Sequence, residues 1–316
     1  MSRRYVPKLD ASQIDEAASH THALWSGGRD LEAHKTGVQT QLRRAGADIL
    51  RYVGLVDDQA GLVASIKRHS LVVFVPGGGT AKAVGIGAVF TRPDARGTGA
   101  ASELLRHVLE EAREAGDVIG LLYSDIDPAF YERFGFVRLE SLEVSAPVLS
   151  LPSETSLDLR RATLEDEPRM LSWYDAAWDP SFLRVARTLD LLRYFRFRNH
   201  VDVAWIVRHD GKDVGYVLAA LHDEKRDDGS VQPPRSLWVD EWAVPGFAHA
   251  EVHGALRAIA EHEGATNVAG WLPRAHAPFP FVAKPRTTAI PMAVTLTNRI
   301  SSIDPTKTFF GSLDHF

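Results

Sequence analysis

Residues 89–101, VFTRPDARGTGAA, gather the features best suited to holding an anion. Gly97 and Gly99 let the main chain approach a ligand closely. An amphipathic helix predicted from Ser102 would leave unpaired amides and the positive end of its dipole at the same spot. A pyrophosphate fits such a cradle, although a glycine-rich turn alone does not say which diphosphate it takes. The turn has no Lys-Ser/Thr ending and no G-x-G-x-x-G at the helix start, so it is neither a P-loop nor a dinucleotide fingerprint. A second glycine run, PGGGTA at 76–81, has no helix after it and reads as a hairpin turn. His249 and His253 are spaced to share one helical face, which raises metal binding. H-A-E-V-H misplaces the acid of a zinc peptidase motif and has no identified third ligand, so no metal is expected and solvated or capping histidines are the reading. The chain has no cysteine, which removes a thiol nucleophile, a thiolate zinc site and a disulfide framework. Any nucleophile is therefore a hydroxyl or the substrate itself.

Hydrophobic period indicates the elements that would hold this cradle. Residues 12–45 read as helical and amphipathic, and 49–56, 61–75 and 82–90 read as strands rich in β-branched residues. Leu104, Leu105, Val108, Leu109 and Ala112 form one face of a helix over 102–115 that Gly116 closes. A strand at 118–123 follows, and then Asp127 and Pro128 open a short helix that ends near Gly135. Residues 145–157 lose periodicity and gain Pro and Ser, as in a linker or a strand leaving one domain for another. The second half repeats the order in outline, without a repeat at the level of residues. A strand at 157–162 and helices through 198 precede strands at 203–209, 214–221 and 236–244, a helix at 248–263 and a strand near 267–272. Trp238, Trp242 and Trp271 either line a pocket or fill the core.

At 316 residues, 45% hydrophobic and 24% charged, the chain has the composition of a folded protein with room for two domains. A net charge of -5 and a pI near 6.2 oppose a general polyanion-binding surface, so nucleic acid is not an expected partner. The start, MSRRYVPKLD, has no apolar stretch behind its arginines, and no later segment approaches the length of a membrane span. No membrane contact is expected, the cytoplasm is the expected location, and a homodimer is left open.

Arg96-Gly97-Thr98-Gly99-Ala100-Ala101, between a strand and a helix, resembles the R/Q-x-x-G-x-G/A signature of the GNAT superfamily of N-acetyltransferases. Phe130-Tyr131-Glu132-Arg133-Phe134-Gly135-Phe136 resembles the F-Y-x-x-x-G-F segment of the same family. The likeness covers residues 50–140 well and the first helices more loosely. LLYSDIDPAFYERFGF also looks like a segment of fungal lysine N-acetyltransferases, and a GNAT domain followed by a degenerate second one resembles the enhanced-intracellular-survival acetyltransferases. The resemblance implies an α/β (α+β) protein of tandem GNAT folds, each a mixed splayed sheet flanked by helices. Residues 1–147 would form the acetyl-CoA domain, and 148–316 a degenerate domain completing the acceptor cleft. It further implies acetyl-CoA as cosubstrate. Val89, Phe90 and Thr91 would meet the pantetheine arm, and the amides of Arg96, Gly97, Thr98, Gly99, Ala100 and Ala101 the pyrophosphate.

Tyr131 would then be the general acid, protonating the departing thiolate; a phenol near pKa 10 suits a thiol leaving group. The competing reading of Tyr131 is a helix-face aromatic packed beneath the sheet. Ser124 stands where many members carry an Asn that contacts pantetheine, and the strand KAVGIGAVF lacks the Glu that often serves as base. Asp125, Asp127, Asp240, Glu241 and, as in survival-type enzymes, the terminal carboxylate of Phe316 are candidate replacements. Asp127 also reads as a helix cap, and a water relay would make a base unnecessary. The second half has no such cradle in WAVPGFAHAEVHGAL, so it is not expected to bind coenzyme A. The expected activity is acetyl transfer to a primary amine of a small molecule or a lysine. The alternative is a non-catalytic acyl-CoA sensor, and Gly85, Gly87 and Ala88 would leave room for a longer acyl group.

Overall fold

Apolar runs at period two build the sheets of this chain, and stripes at helical period build the helices that cover both faces of each sheet. The computed structural model describes residues 3–125, 127–225, 231–273, 278, 280–300 and 302–316. The first half runs β1 (Arg3–Val6), α1 (Ala11–Trp25), α2 (Leu31–Ala45), β2 (Leu50–Asp57), β3 (Gly61–Phe74), β4 (Thr80–Thr91), α3 (Ala100–Glu114), β5 (Ile119–Ser124), α4 (Ala129–Glu132), β6 (Val137–Arg138) and β7 (Leu142–Pro147). The second half runs β8 (Asp158–Arg161), α5 (Glu167–Ala177), β9 (Leu183–Val185), α6 (Leu189–Arg198), β10 (Val203–His209), β11 (Lys212–Lys225), β12 (Val231–Ala243), α7 (His249–His262), β13 (Asn267–Leu272), β14 (Val282–Pro285), β15 (Ile290–Thr295) and β16 (Thr308–Phe309).

Capping sets the helix starts. Asp10 accepts the Gln13 amide in a capping box and Asp30 accepts the Ala33 amide, so the helical stretch expected at 12–45 is two helices meeting at a turn that includes Gly27 and Gly28. PGGGTA is the turn of the β3–β4 hairpin, and Gly77, Gly78 and Gly79 all take positive φ there.

Two mixed sheets result. The first has the order β1-β2-β3-β4-β5-β15-β6, with β9 beside β3 and β16 beside β9. The second has the order β14-β7-β13-β12-β11-β10-β8. Each sheet takes strands from the other half of the chain: β9, β15 and β16 join the first, with β15 between β5 and β6, and β7 joins the second between β13 and β14. Neither sheet is therefore contained on one side of residue 147, and 142–147 is a strand crossing from one unit to the other.

One apolar core runs between the two halves, joining Leu71 and Val73 of β3 to Tyr194 and Phe195 of α6 and to Phe309, Phe310, Leu313 and Phe316 of the final segment. That segment is also fixed by polar contacts. Arg187 donates to Asp314 and to Glu241 of β12, each at 2.5 Å, and all three groups are buried. Tyr216 donates to the second oxygen of Glu241 at 2.6 Å, and Asn199 Nδ2 donates to the Leu313 carbonyl at 2.9 Å. Among the described residues no helix is long and apolar enough to cross a membrane.

Candidate active site

The parallel pair β4 and β5 is in register only from Ala83 to Ile86 and from Ile119 to Leu122, although β4 continues to Thr91 and β5 to Ser124. Past Ile86 the strands part. On its other edge β4 stays with β3 through a bulge: Ser65 pairs with Phe90 and Lys67 with Gly87, so Ile66 opposes both Ala88 and Val89. Ala88 takes φ 47°, a left-handed conformation uncommon for a residue with a Cβ. The bulge and the parting turn the end of β4 toward open space.

A cavity of about 530 Å³ fills the opening. Ala88, Val89, Phe90 and Thr91 form one wall, and Tyr123, Asp125, Phe130 and Tyr131 form the other. Leu24 and Trp25, at the end of α1, close its side. An adjoining cavity of about 350 Å³ shares Thr91, Arg96, Ala101 and Phe130 with the first and is otherwise bounded by the glycine turn and Arg133. At Gly97 (φ 76°) and Gly99 (φ 85°) an added Cβ would meet nothing within 4 Å, so the turn is open to a ligand. Gly99 is also the residue from which α3 starts, with no side-chain cap. Among the described residues the amides of Gly97, Gly99, Ala100 and Ala101 donate to no backbone carbonyl. A pyrophosphate matches this donor set, whereas the Arg96 and Thr98 amides reach back to Pro93 and Ala95 at 3.3 and 3.4 Å.

The structure thus gathers Val89, Phe90, Thr91, Arg96, Gly97, Gly99, Ala100, Ala101 and Tyr131 around two joined cavities. Thr98 and Ser124 are not on their walls. The Thr98 hydroxyl accepts from Arg3 Nη2 at 2.5 Å and donates to the Ala95 carbonyl at 2.7 Å, while Ser124 is buried opposite Ile290 of the exchanged strand. Tyr131 is 4% exposed, and among the described residues its hydroxyl makes no hydrogen bond. Burial, and then the negative charge of Asp125, pushes its pKa up to about 12, so the phenol holds its proton at neutral pH.

The candidate bases separate by position. Asp125 is on the cavity wall and accepts the Ala289 amide at 2.9 Å. Asp127, just before α4, accepts the Ala129 amide at 2.9 Å, while the cap position itself is Pro128. Glu241 is engaged by Arg187 and Tyr216, and Asp240 is buried beside it, with one oxygen lacking a partner and its pKa pushed up to about 7 by burial. Phe316 lies against the floor of the cleft, its ring 4.9 Å from His69 and 5.5 Å from Tyr123. A Cβ on Gly87 would come within 2.8 Å of the Phe316 main-chain oxygen, and one on Gly85 within 2.8 Å of its ring. The room that these glycines leave is therefore filled by Phe316 and not by space for a longer acyl group.

Sequence reasoning passed over Leu24, Trp25, Tyr123 and Arg133, whose only signals were an aromatic at a helix end, a tyrosine in a buried strand and an arginine inside an already quoted motif. Trp242 is core, while Trp238 and Trp271 are half-buried and pack edge to face at 5.8 Å. His249 and His253 stack at 6.3 Å on α7, and among the described residues no group of three or more His, Cys, Asp or Glu is arranged to hold a metal.

Residues 8–138 match the family model of the acetyltransferase (GNAT) domain. Among solved structures, a GCN5-related N-acetyltransferase from Anabaena variabilis is 18% identical with a TM-score of 0.70 over 94% of this chain and 73% of that one. Eis1 from Mycobacterium abscessus is 16% identical, with a TM-score of 0.63 over 94% and 74% of the two chains. A tandem GNAT protein from the clavulanic acid biosynthesis pathway is 14% identical, with a TM-score of 0.53 over 94% and 99%. No curated protein matches the chain at a significant level. At such identities the structural likeness speaks for the fold across both halves: the chain has a tandem GNAT fold, and its residues 8–138 are the part that matches the GNAT acetyltransferase domain.

Proposed function

We propose that the protein transfers an acetyl group from acetyl-CoA to a primary amine. The observation that carries this reading is the joined pair of cavities, which runs from the free amides at the start of α3 to the hydroxyl of Tyr131. The diphosphate would lie on the amides of Gly97, Gly99, Ala100 and Ala101, where the helix dipole favours negative charge. The amide-rich pantetheine arm would follow the unpaired edge of β4 at Val89, Phe90 and Thr91, as an added strand does. The thioester would then sit between the β4 bulge and Tyr131.

The amine nitrogen attacks the thioester carbonyl carbon, and the C–N bond forms as the C–S bond breaks. The departing thiolate takes the Tyr131 proton, and the proton that the amine loses returns through solvent to the phenolate. A phenol held above its ordinary pKa keeps its proton throughout the neutral range and can share it by hydrogen bond with the sulfur as negative charge builds there. The half of the chain beyond residue 147 packs against the wall of the large cavity, with Phe316 and His315 on Tyr123 and the Ala289 amide on Asp125. That placement favours its role in completing the acceptor cleft, while the first half holds acetyl-CoA.

The test is thiol release from acetyl-CoA across a panel of amines, with Tyr131→Phe beside the wild type. Acceptor-dependent release that falls about a hundredfold or more in the variant is the expected result. Binding of acetyl-CoA without release for any amine would overturn the reading in favour of a non-catalytic acyl-CoA sensor.

A further inference from the structure

The charged groups on the walls of the two joined cavities divide by sign. The smaller cavity, at the glycine turn, has the Arg96 and Arg133 guanidiniums and the free amides of Gly97, Gly99, Ala100 and Ala101. The larger has Asp125, which is not on the wall of the smaller and is the one carboxylate on either wall among the described residues. Asp125 Oδ1 accepts the Ala289 amide at 2.9 Å. Among the described residues its second oxygen accepts no hydrogen bond and no cation lies within ion-pair distance of it. The residue is exposed, so a ligand in the cavity can reach it. Arg198 and Arg286 feel its charge, but neither is on the cavity wall.

Much of the remaining wall of the large cavity is apolar, with Phe90 and Phe130 joined by Leu24 and Trp25 from the end of α1. Leu24 is 57% exposed and Trp25 40% exposed, although the indole packs edge to face on Phe90 at 6.5 Å. Two large apolar side chains left to water at the side of a cavity favour a ligand that covers them. The pantetheine arm is a poor candidate, because its amides are drawn to the unpaired edge of β4. The acceptor is then the molecule that meets both Asp125 and the end of α1.

Resting on the acetyl-transfer reading, we propose that the acceptor is a primary amine on an apolar aryl or alkyl body and without a carboxylate, its nitrogen held by Asp125 and its apolar part lying on Leu24 and Trp25. An amine reaches the protein mostly as its ammonium ion, which the carboxylate attracts; one proton must leave to solvent before the nitrogen attacks. The net charge of -5 adds a weak pull of the same sign. A carboxylate next to the amine would be brought up against Asp125, and like charges set side by side disfavour that acceptor. The two cosubstrates are thus sorted by charge: the anionic one to the amides and arginines of the glycine turn, the cationic one to Asp125.

The experiment measures kcat/KM, by thiol release from acetyl-CoA, for phenethylamine, for phenylalanine, which adds a carboxylate, and for ethylamine, which lacks the ring. Phenethylamine is expected to exceed each of the others by about tenfold or more, through avoided repulsion in one case and apolar contact in the other. In Asp125→Asn the KM for phenethylamine should rise about tenfold and its advantage over phenylalanine should shrink. In Trp25→Ala its advantage over ethylamine should shrink while that over phenylalanine persists. A merely structural effect would slow all three amines alike and leave these ratios unmoved. Acetyl-CoA binding is the check on folding, and the two positions lie on different elements, so failure of one variant to fold leaves the other to decide. Phenylalanine or ethylamine used as well as phenethylamine, or variants that slow all three alike, would overturn this proposal and leave acetyl transfer standing. No thiol release from any of the three, with Tyr131→Phe indistinguishable from wild type, would overturn both.

Discussion

Each half of the molecule contains a strand, a helix and a parallel strand in succession, β4–α3–β5 and β12–α7–β13, and the two units have opposite interiors. In the first, the strands part beyond Ile86 and a cavity of about 530 Å³ opens between them. In the second, the space at the end of β12, before α7, is about 120 Å³ and is bounded by Trp178, Trp242, Phe247 and His249. The second pair likewise leaves register, after Val239 and Gly270, and there a Cβ on Gly270 would come within 2.5 Å of the Val239 carbonyl oxygen. The first helix starts from two glycines with positive φ and open space above them, and the second from Pro245-Gly246-Phe247-Ala248. The connection is shared while the side chains differ, so the site belongs to the residues and not to the fold.

The comparison can be broken in several ways. Trp242→Ala would remove the bulk of the second space. It should destabilise the fold by about 3–5 kcal/mol, measured by denaturant unfolding, because a buried indole leaves a cavity that the sheet cannot collapse around. Calorimetry on this variant should still find no second equivalent of acetyl-CoA bound, since the second helix start offers no glycine cradle. Tyr131→Phe should cost about 2.7 kcal/mol in transition-state stabilisation, read as the hundredfold fall in turnover.

A smaller effect concerns the buried acid between the halves. Asp240 titrates near 7 in the folded protein against 3.8 for the free group, so the folded state keeps a proton that the unfolded chain releases. Stability therefore falls as pH rises from about 4 to about 7 and levels off above that, with a loss of about 1.4 kcal/mol between pH 6 and 8 from this group. Asp240→Asn should flatten that part of the stability profile. An unchanged slope would place the charge penalty elsewhere.

Much of this contrast was legible in the residues. The strand before the cradle, the glycines at 97 and 99, the amphipathic face of α3 and the Phe130–Phe136 segment all rest on local periodicity or local backbone demands, which a sequence states directly. The absence of a cradle in the second half was readable for the same reason. The exchange of β7 and β15 was not, because strand partners far apart in sequence leave no mark on either strand. Residues 142–147 could be read only as a stretch that leaves one unit for another. The end of α1 and the final segment, which bring Trp25 and Phe316 to the cleft, depend on tertiary packing of the same kind.

The most direct test of the central claim uses a matched pair of glycines. Gly99 and Gly246 both have φ 85° with nothing within 4 Å of an added Cβ, and each lies at the start of its unit's helix. Replacing either with valine imposes the same left-handed strain, about 1–2 kcal/mol. Calorimetric titration with acetyl-CoA should find affinity lowered about tenfold or more in Gly99→Val and unchanged in Gly246→Val. Equal losses in both variants, or a loss confined to Gly246→Val, would contradict the assignment of the acyl-CoA site to the first unit.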